Sequence, residues 1–475
     1  MSFVSAPADK RAVVAVDLGA ESCRVCLLRW TEAGPKVSLV HRFANSPREN
    51  DGLRWDLGMI AAGVEDGLRK AAAIATEGIR SVAVDGWAVD YVRIDADGVP
   101  LEDPFCYRDE RTIAAEVAAH KKIPADRMRE LTGIQLIRIN TVYQQFADQL
   151  AGRKPGVQWL NLPEYFLSRW GGTRVAELTN ATHTQMVELH EPEWCLEIFD
   201  ALGLDVSRAL PVVPPGTLLG TMNLPGLEGA SLIAPACHDT ASAIAGIPAV
   251  GNDWAYISSG TWSLVGTLLE QPRNGAAAAA ENFTNLGAVG GRTCFHKNVN
   301  GMWLLRQCMN EWGSAWEIAE LVAAAERAPR ADGLLDVDEA DLMLAGHMPG
   351  RINAQRVRRG LAAMDESAAG APAMARLIFE SLAARYAEVL ARIAELSGKE
   401  LKRLFVVGGA SQNEFLNRLT AEATGLQVFR GSAESSTVGN LAVQLAVLDG
   451  DRDDSTGAFA EAVSRWAEML IPAMG

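Results

Sequence analysis

Short runs of small and β-branched residues, each ended by glycine or an acidic residue, recur along this chain. The run AVVAV at 12–16 ends at Asp17-Leu18-Gly19 and is followed by VCLLRW at 25–30, which predicts a buried strand, a turn and a return strand. Two more strand-like runs, 79–84 and 89–94, stand either side of Gly86-Trp87, and 113–120 and 125–131 have helical spacing. Residues 211–229 (PVVPPGTLLGTMNLPGLEG) are the richest in proline and glycine, so a loop near a domain boundary is expected there rather than a helix or long strand. After it, 231–236 reads as a strand and 240–246 as the opening of a helix. A second strand–turn–strand at 254–269 turns at Ser259-Gly260-Thr261, about half the chain after the first hairpin, which suggests an internal repeat of two similar domains.

The pattern is clearest late in the chain. Leu377, Ile378, Leu382, Val389, Leu390, Ile393 and Leu396 mark one face of a helix that Gly398 is suited to end. The strand expected at 401–407 is broken by Gly408-Gly409, a helix at 413–424 stops at Gly425, and 426–429 is again strand-like. Strand–helix–strand order implies parallel pairing and an α/β layer fold. The run GAAAAA at 275–280 reads as a surface loop or a helix start.

A chain of 475 residues holds two large domains or about three of ordinary size. With 48% apolar and 22% charged residues it is neither disordered nor fibrous. A net charge of −15 opposes non-specific binding to nucleic acid, while leaving room for a local basic pocket for a small phosphate. No stretch approaches the ~20 apolar residues that cross a bilayer. The opening MSFVSAPADKR lacks the apolar core of a secretory signal, and seven sparse cysteines do not spell a disulfide framework. A cytoplasmic protein is expected, as a monomer or homodimer.

Several constellations carry chemistry, and each has a plain alternative. Asp17 closes an apolar strand, where a carboxylate can hold Mg²⁺ beside phosphate-binding amides or simply start a turn. Ser258-Ser259-Gly260-Thr261 and Gly408-Gly409-Ala410 offer turns that suit a phosphate or a nucleotide, and equally suit ordinary packing. In His238-Asp239-Thr240, Asp239 can take a proton from a hydroxyl attacking a phosphoryl group; taken alone, it is expected to cap a helix with His238 on the surface. Cys23 and Cys26 spell C-x-x-C, but residues three apart on a strand face opposite sides, so two half-buried cysteines are expected. YRDERT at 107–112 reads alone as a solvated turn, and no two histidines have metal-ligand spacing on a helix.

Taken in order, these pieces resemble the FGGY family of carbohydrate kinases. The resemblance runs through VAVDLGAESCR (14–24), GWAVDY (86–91), YRDERT (107–112), INTVYQ (139–144) and LTNATHTQ (178–185). It continues through CHDTASA (237–243), SSGTWSLVG (258–266), KNVNGMWLL (297–305), VVGGASQN (406–413) and SSTVGNLAVQ (435–444). It implies an α/β fold of two actin-like (ribonuclease H-like) ATPase domains flanking a central cleft, residues 1–245 binding mainly sugar and residues 246–475 mainly ATP. It implies ATP and Mg²⁺ as cofactors, a ketose as phosphoryl acceptor, and no nucleic-acid or membrane partner.

By resemblance, Asp239 is the catalytic base and Asp17 lies at the Mg²⁺–phosphate site. Ala20, Glu21, Ser22, Cys23, Arg24, Thr261, Arg306, Gly408, Gly409 and Ala410 are implied on the ATP side. Trp87, Ala88, Asp90, His238, Asp239, Thr240 and Asn298 are implied on the sugar side. The chain departs from its nearest family pattern at Glu21-Ser22-Cys23-Arg24 (usually Ser-Ser-Gly-Arg), at Gly86-Trp87-Ala88 (usually Thr-Trp-Gly), and at Arg306, where glutamine is usual and Gln307 follows one place later. A catalytically silent actin-like binding protein is the alternative of another class.

Overall fold

The strand β1 (Ala12–Leu18) is buried along its whole length, as a run of small and β-branched residues allows when a strand is covered on both faces. A computed structural model describes residues 7–450 and 456–474 of the chain. Around β1 stand β2 (Ser22–Thr31), β3 (Gly34–Ala44), β4 (Ile79–Gly86), β7 (Thr217–Thr221) and β8 (Ser231–Ala234), while β5 (Tyr91–Ile94) and β6 (Gln158–Asn161) form a small sheet of their own. The main sheet runs β7-β8-β4-β1-β2-β3. Within it β1 is antiparallel to β2 and parallel to β4, and β4 is parallel to β8.

Alternation along β1 and β2 feeds two cores. Val14, Val16, Cys23 and Val25 pack with Ile60, Val64 and Leu68 of the helix Leu57–Ile74. Val13, Ala15, Cys26 and Leu28 pack with Val438, Leu441 and Leu445 of the helix Ser435–Leu448 and with Val463 and Trp466 of the helix Thr456–Leu470. Cys23 and Cys26 thus face opposite sides, as the strand period requires. Both are more deeply buried than expected, and all seven cysteines are free and buried. The chain forms two compact units by contacts: Met1–Val250 with Leu268–Phe295 and Glu434–Gly475, and Gly251–Thr267 with His296–Ala433.

The second unit is built on β9 (Trp254–Ser259), β10 (Trp262–Leu269), β11 (Thr293–Asn300), β12 (Arg403–Val407) and β13 (Gln427–Arg430), in the order β11-β10-β9-β12-β13. The pattern of β3-β2-β1-β4 recurs here: β9 is antiparallel to β10 and parallel to β12, which is parallel to β13. The helix Ala371–Ser397 buries Leu377, Ile378, Leu382, Val389, Leu390 and Ile393 and ends at Gly398, whose φ of 72° is left-handed. The helix Glu414–Thr424 likewise ends at Gly425. Arg111–Ala119 and Ala125–Thr132 are helices close to their expected places.

Two expectations change. The stretch 211–229 is not only loop, because it supplies β7. That strand lies at the sheet's edge with a register shift between Leu218 and Gly220, the setting in which glycine and neighbouring prolines are tolerated. His238 is not a surface residue: it is 6% exposed and occupies the cap position itself, so Asp239 opens the helix Asp239–Ala245 from its first turn. The segment Ala276–Ala280 is a short helix.

Candidate active site

In the first unit the tetrapeptide Val-Ala-Val-Asp occurs twice, at Val14–Asp17 and Val82–Asp85, and the parallel pairing of β1 with β4 sets the two copies side by side in register. Asp17 and Asp85 are therefore neighbours at the carboxyl ends of adjacent strands. Asp17 Oδ2 accepts from Arg24 Nη1 and from Ser436 Oγ, each at 2.8 Å, and Arg24 Nη1 also lies 3.3 Å from Glu434 Oε2. Asp85 is fully buried and accepts from Asn440 Nδ2 at 2.6 Å. Its other oxygen has no hydrogen-bond partner among the described residues. Burial, reinforced by the charge on Asp17, pushes its carboxyl well above the usual range. Asp85 was missed by motif reading, although the repeated tetrapeptide was a visible signal.

The turn after β1 needs glycine at its first position, since a Cβ on Gly19 would sit 2.4 Å from the Ser22 carbonyl oxygen. Ala20 and the exposed Glu21 form the rest of the turn, held by Asn45, whose amide N–H donates to Glu21 O and whose side chain donates to Gly19 O. Ser22, Cys23 and Arg24 already belong to β2. Ser22 Oγ accepts from Arg42. Cys23 points into the core, and burial pushes its thiol up to about 12, so position 23 needs no glycine.

The two sugar-side segments are brought together. Gly86 bridges to His238, with Gly86 N donating to Cys237 O at 2.9 Å. A Cβ on Gly86 would lie 2.9 Å from the Leu18 carbonyl oxygen, so the close crossing of β4 past β1 demands glycine. Trp87 and Ala88 are buried, and Trp87 packs on Trp55 with ring centroids 4.6 Å apart. Val89 has a φ of 70°, a left-handed conformation that costs a β-branched residue about 1–3 kcal/mol. Thr141 Oγ1 and Gln144 Nε2 hold it there by donating to its carbonyl. Asp90 is fully buried and takes donors from Trp55, Trp87, Gln144 and the Tyr107 amide. Its carboxylate therefore fixes the loop from within the protein, an arrangement the sequence did not reveal.

A buried clamp sets the backbone before Asp239. Glu177 accepts from the Thr179 N–H at 3.0 Å, from Thr179 Oγ1 at 2.5 Å and from the Cys237 N–H at 2.9 Å. Thr179 Oγ1 in turn accepts the His238 N–H at 3.0 Å. Asp239 itself stays partly exposed, with Oδ1 accepting from the Thr240 N–H and lying 3.4 Å from His238 Nε2. Withdrawal from water, then the charge on Asp17, pushes its carboxyl up to about 7, the range that suits a general base at neutral pH. Thr240 is half-buried beside it.

The second unit holds the remaining expected residues. Thr261 sits at the tip of the β9–β10 turn, and its carbonyl accepts from Trp303 N, the start of the helix Trp303–Trp312 that carries the exposed Arg306. Gln307 does not stand in for Arg306: it is buried, and its side-chain oxygen accepts from Gly346 N at 3.0 Å. Gly408 has a φ of 83°, and a Cβ there would lie 2.7 Å from the Ser259 carbonyl oxygen, so the Gly408-Gly409-Ala410 turn and the 259–261 turn lie close together. Gly409 opens onto free space. Asn298 is half-buried on β11, in this unit and not with the other sugar-side residues. Among the described residues no group of three or more histidine, cysteine or acidic side chains is arranged to hold a metal, and no helix is long and apolar enough to cross a membrane.

This fold is that of two-domain, actin-like sugar kinases. A xylulose kinase from Lactobacillus acidophilus superposes with a TM-score of 0.77 at 14% identity, covering 97% of this chain and 91% of that one. A glycerol kinase from Plasmodium falciparum bound to ADP gives 0.72 at 11% identity, covering 96% and 92%. Residues 12–246 match the N-terminal domain, and residues 255–448 the C-terminal domain, of the FGGY family of carbohydrate kinases, and the chain belongs to that family. It is 35% identical over 461 residues to a rhamnulokinase of Enterococcus faecalis, covering 95% of this chain and 92% of the relative. It is also 35% identical to one of an Enterobacter species over 92% and 90%. The chain is thus an ATP-dependent sugar kinase.

Proposed function

We propose that the chain phosphorylates L-rhamnulose, or a closely similar deoxyketose, at its primary O1 hydroxyl. The observation that carries the reading is Asp239, a partly exposed carboxylate that opens the helix Asp239–Ala245 beside His238, which bridges to Gly86 of the 86–90 loop. The names of the two relatives support the choice of sugar.

In this reading Trp87, Ala88, His238, Asp239 and Thr240 of the first unit bind the sugar, while Asp90 positions the loop. Thr261, Arg306 and Gly408–Ala410 of the second unit bind ATP. Asp239 takes the proton of the sugar hydroxyl as its oxygen bonds to the γ-phosphorus and the bond to the bridging oxygen breaks, leaving ADP. Asp17 offers one carboxylate, which suits Mg²⁺ because that ion takes one or two carboxylates and completes its shell with phosphate and water. When bound, Mg²⁺ supplies charge neutralisation at the phosphates. The reaction would take place in the cytoplasm.

The test is ADP release with L-rhamnulose, L-fuculose and L-ribulose. Turnover with L-rhamnulose at the highest kcat/KM is expected. No turnover with any of the three would show the substrate assignment to be wrong.

A further inference from the structure

The segment LTNATHTQ belongs to the family resemblance, yet the reaction as described uses none of its side chains directly. It folds into the helix Leu178–His183, capped by Glu177. The first turn of that helix fixes the backbone of His238 through Thr179. Its last residue, His183, meets the side chain of the same His238, the rings lying edge to face with centroids 4.7 Å apart and planes at 81°. One short helix therefore registers two imidazoles against each other beside Asp239.

His183 is partly exposed, but its Nδ1 is closed off from water and has no hydrogen-bond partner among the described residues. Burial of the ring pushes its pKa down to about 4, so the imidazole is neutral at physiological pH. Its Nε2 makes no hydrogen bond among the described residues, so a neutral ring nitrogen able to pair with a ligand stands beside the residue assigned to the sugar.

We propose that His183 is a substrate-contact residue that helps select the sugar, sharing a hydrogen bond through Nε2 with a hydroxyl of the ketose held against His238. The inference rests on the ketose-kinase reading above.

His183→Leu removes the ring nitrogens at similar bulk, and His183→Gln keeps a hydrogen-bonding amide near the Nε2 position. For L-rhamnulose, the leucine variant should raise KM by roughly ten- to hundredfold, the cost of one unpaired polar group. The glutamine variant should recover most of that loss, and the KM for ATP should stay near wild type in both, which also reports correct folding. The order of preference among L-rhamnulose, L-fuculose and L-ribulose should change. If His183→Leu does not fold, His183→Ala removes the same polar group and is read in the same way. Unchanged sugar KM values, or a loss that glutamine does not restore, overturn the inference while leaving the kinase reading intact. A wild-type protein that phosphorylates none of the three sugars overturns the ketose reading and this inference with it.

Discussion

Replacing Thr179 by valine isolates the clamp beneath the catalytic carboxylate, because the side chain keeps its shape and loses only the hydroxyl. Thr179 is fully buried, and its hydroxyl has two duties: it donates to Glu177 and accepts the His238 N–H at 3.0 Å. The substitution leaves a buried N–H without a partner, worth about 1–3 kcal/mol, and takes one hydrogen bond from the neutral Glu177 carboxyl, worth about 0.5–1.5 kcal/mol. A loss of about 2–4 kcal/mol of stability is expected, measured as denaturant midpoints at constant m-value. His238 and Asp239 follow one another at the start of their helix, so kcat should fall and the sugar KM rise while the KM for ATP is unmoved. Thr179→Ser keeps the hydroxyl and should restore both stability and turnover, apart from the small cost of the lost methyl. The reasoning is refuted if the valine protein matches wild type in stability and kcat, or if serine is as damaging as valine.

Asp239→Asn should lower turnover by roughly 10²–10⁴-fold, the usual loss of a general base, while sugar affinity measured by titration calorimetry stays near normal; undiminished turnover would remove Asp239 from that role. Ala88→Gly should shift the kcat/KM ratios among L-rhamnulose, L-fuculose and L-ribulose by the ~1–3 kcal/mol that one methyl is worth in a pocket, and identical ratios would mean that residue 88 does not touch the sugar. Burial pushes the Glu164 and Glu177 carboxyls up to about 7 and about 8. The unfolded chain ionises them near the ordinary glutamate value, so their stability contribution is full below that value and lost as pH rises through about 8. Melting temperature should therefore fall between pH 5 and 8 and do so less steeply in Glu164→Gln; parallel curves would refute the assignment. Gly408→Ala should destabilise the second unit by about 1–3 kcal/mol, because a φ of 83° with a ψ of −178° is a conformation almost confined to glycine, and raise the KM for ATP, measured by initial rates; an unchanged KM would separate this turn from the nucleotide.

The elements that could be read from sequence are those whose local signals agree. Helix Ala371–Ser397 combines an apolar stripe with a terminal glycine, and both hairpins combine apolar runs with a small-residue turn. Strand β7 could not be read, since an edge strand has a neighbour on one side only, here β8 next along the chain, and tolerates the composition of a loop. At the site, Asp17 and Asp239 were legible as acidic residues ending or opening an element. The clamp of Glu177 and Thr179 and the saturation of Asp90 were not, because burial and donor count exist only after folding. His238 shows the limit most plainly: expected on the surface beside a capping Asp239, it is buried and is itself the cap, with Gly86 bridged to it.

The return of Glu434–Gly475 to the first unit has a consequence for how the protein is made. Asp85 meets Asn440 across 355 residues of sequence, and Ser81 and Val14 meet Gln444 across 363 and 430. Each of these groups leaves the ribosome long before its partner. At ~5–20 residues per second the wait between Asp85 and Asn440 is roughly twenty to seventy seconds. During that time one face of the β1–β4 sheet, with Val13, Ala15, Cys26 and Leu28, lacks the helix Ser435–Leu448 that covers it. The half of the chain translated first is completed last, so a nascent chain stalled before residue 435 exposes an apolar sheet face that chaperones would recognise.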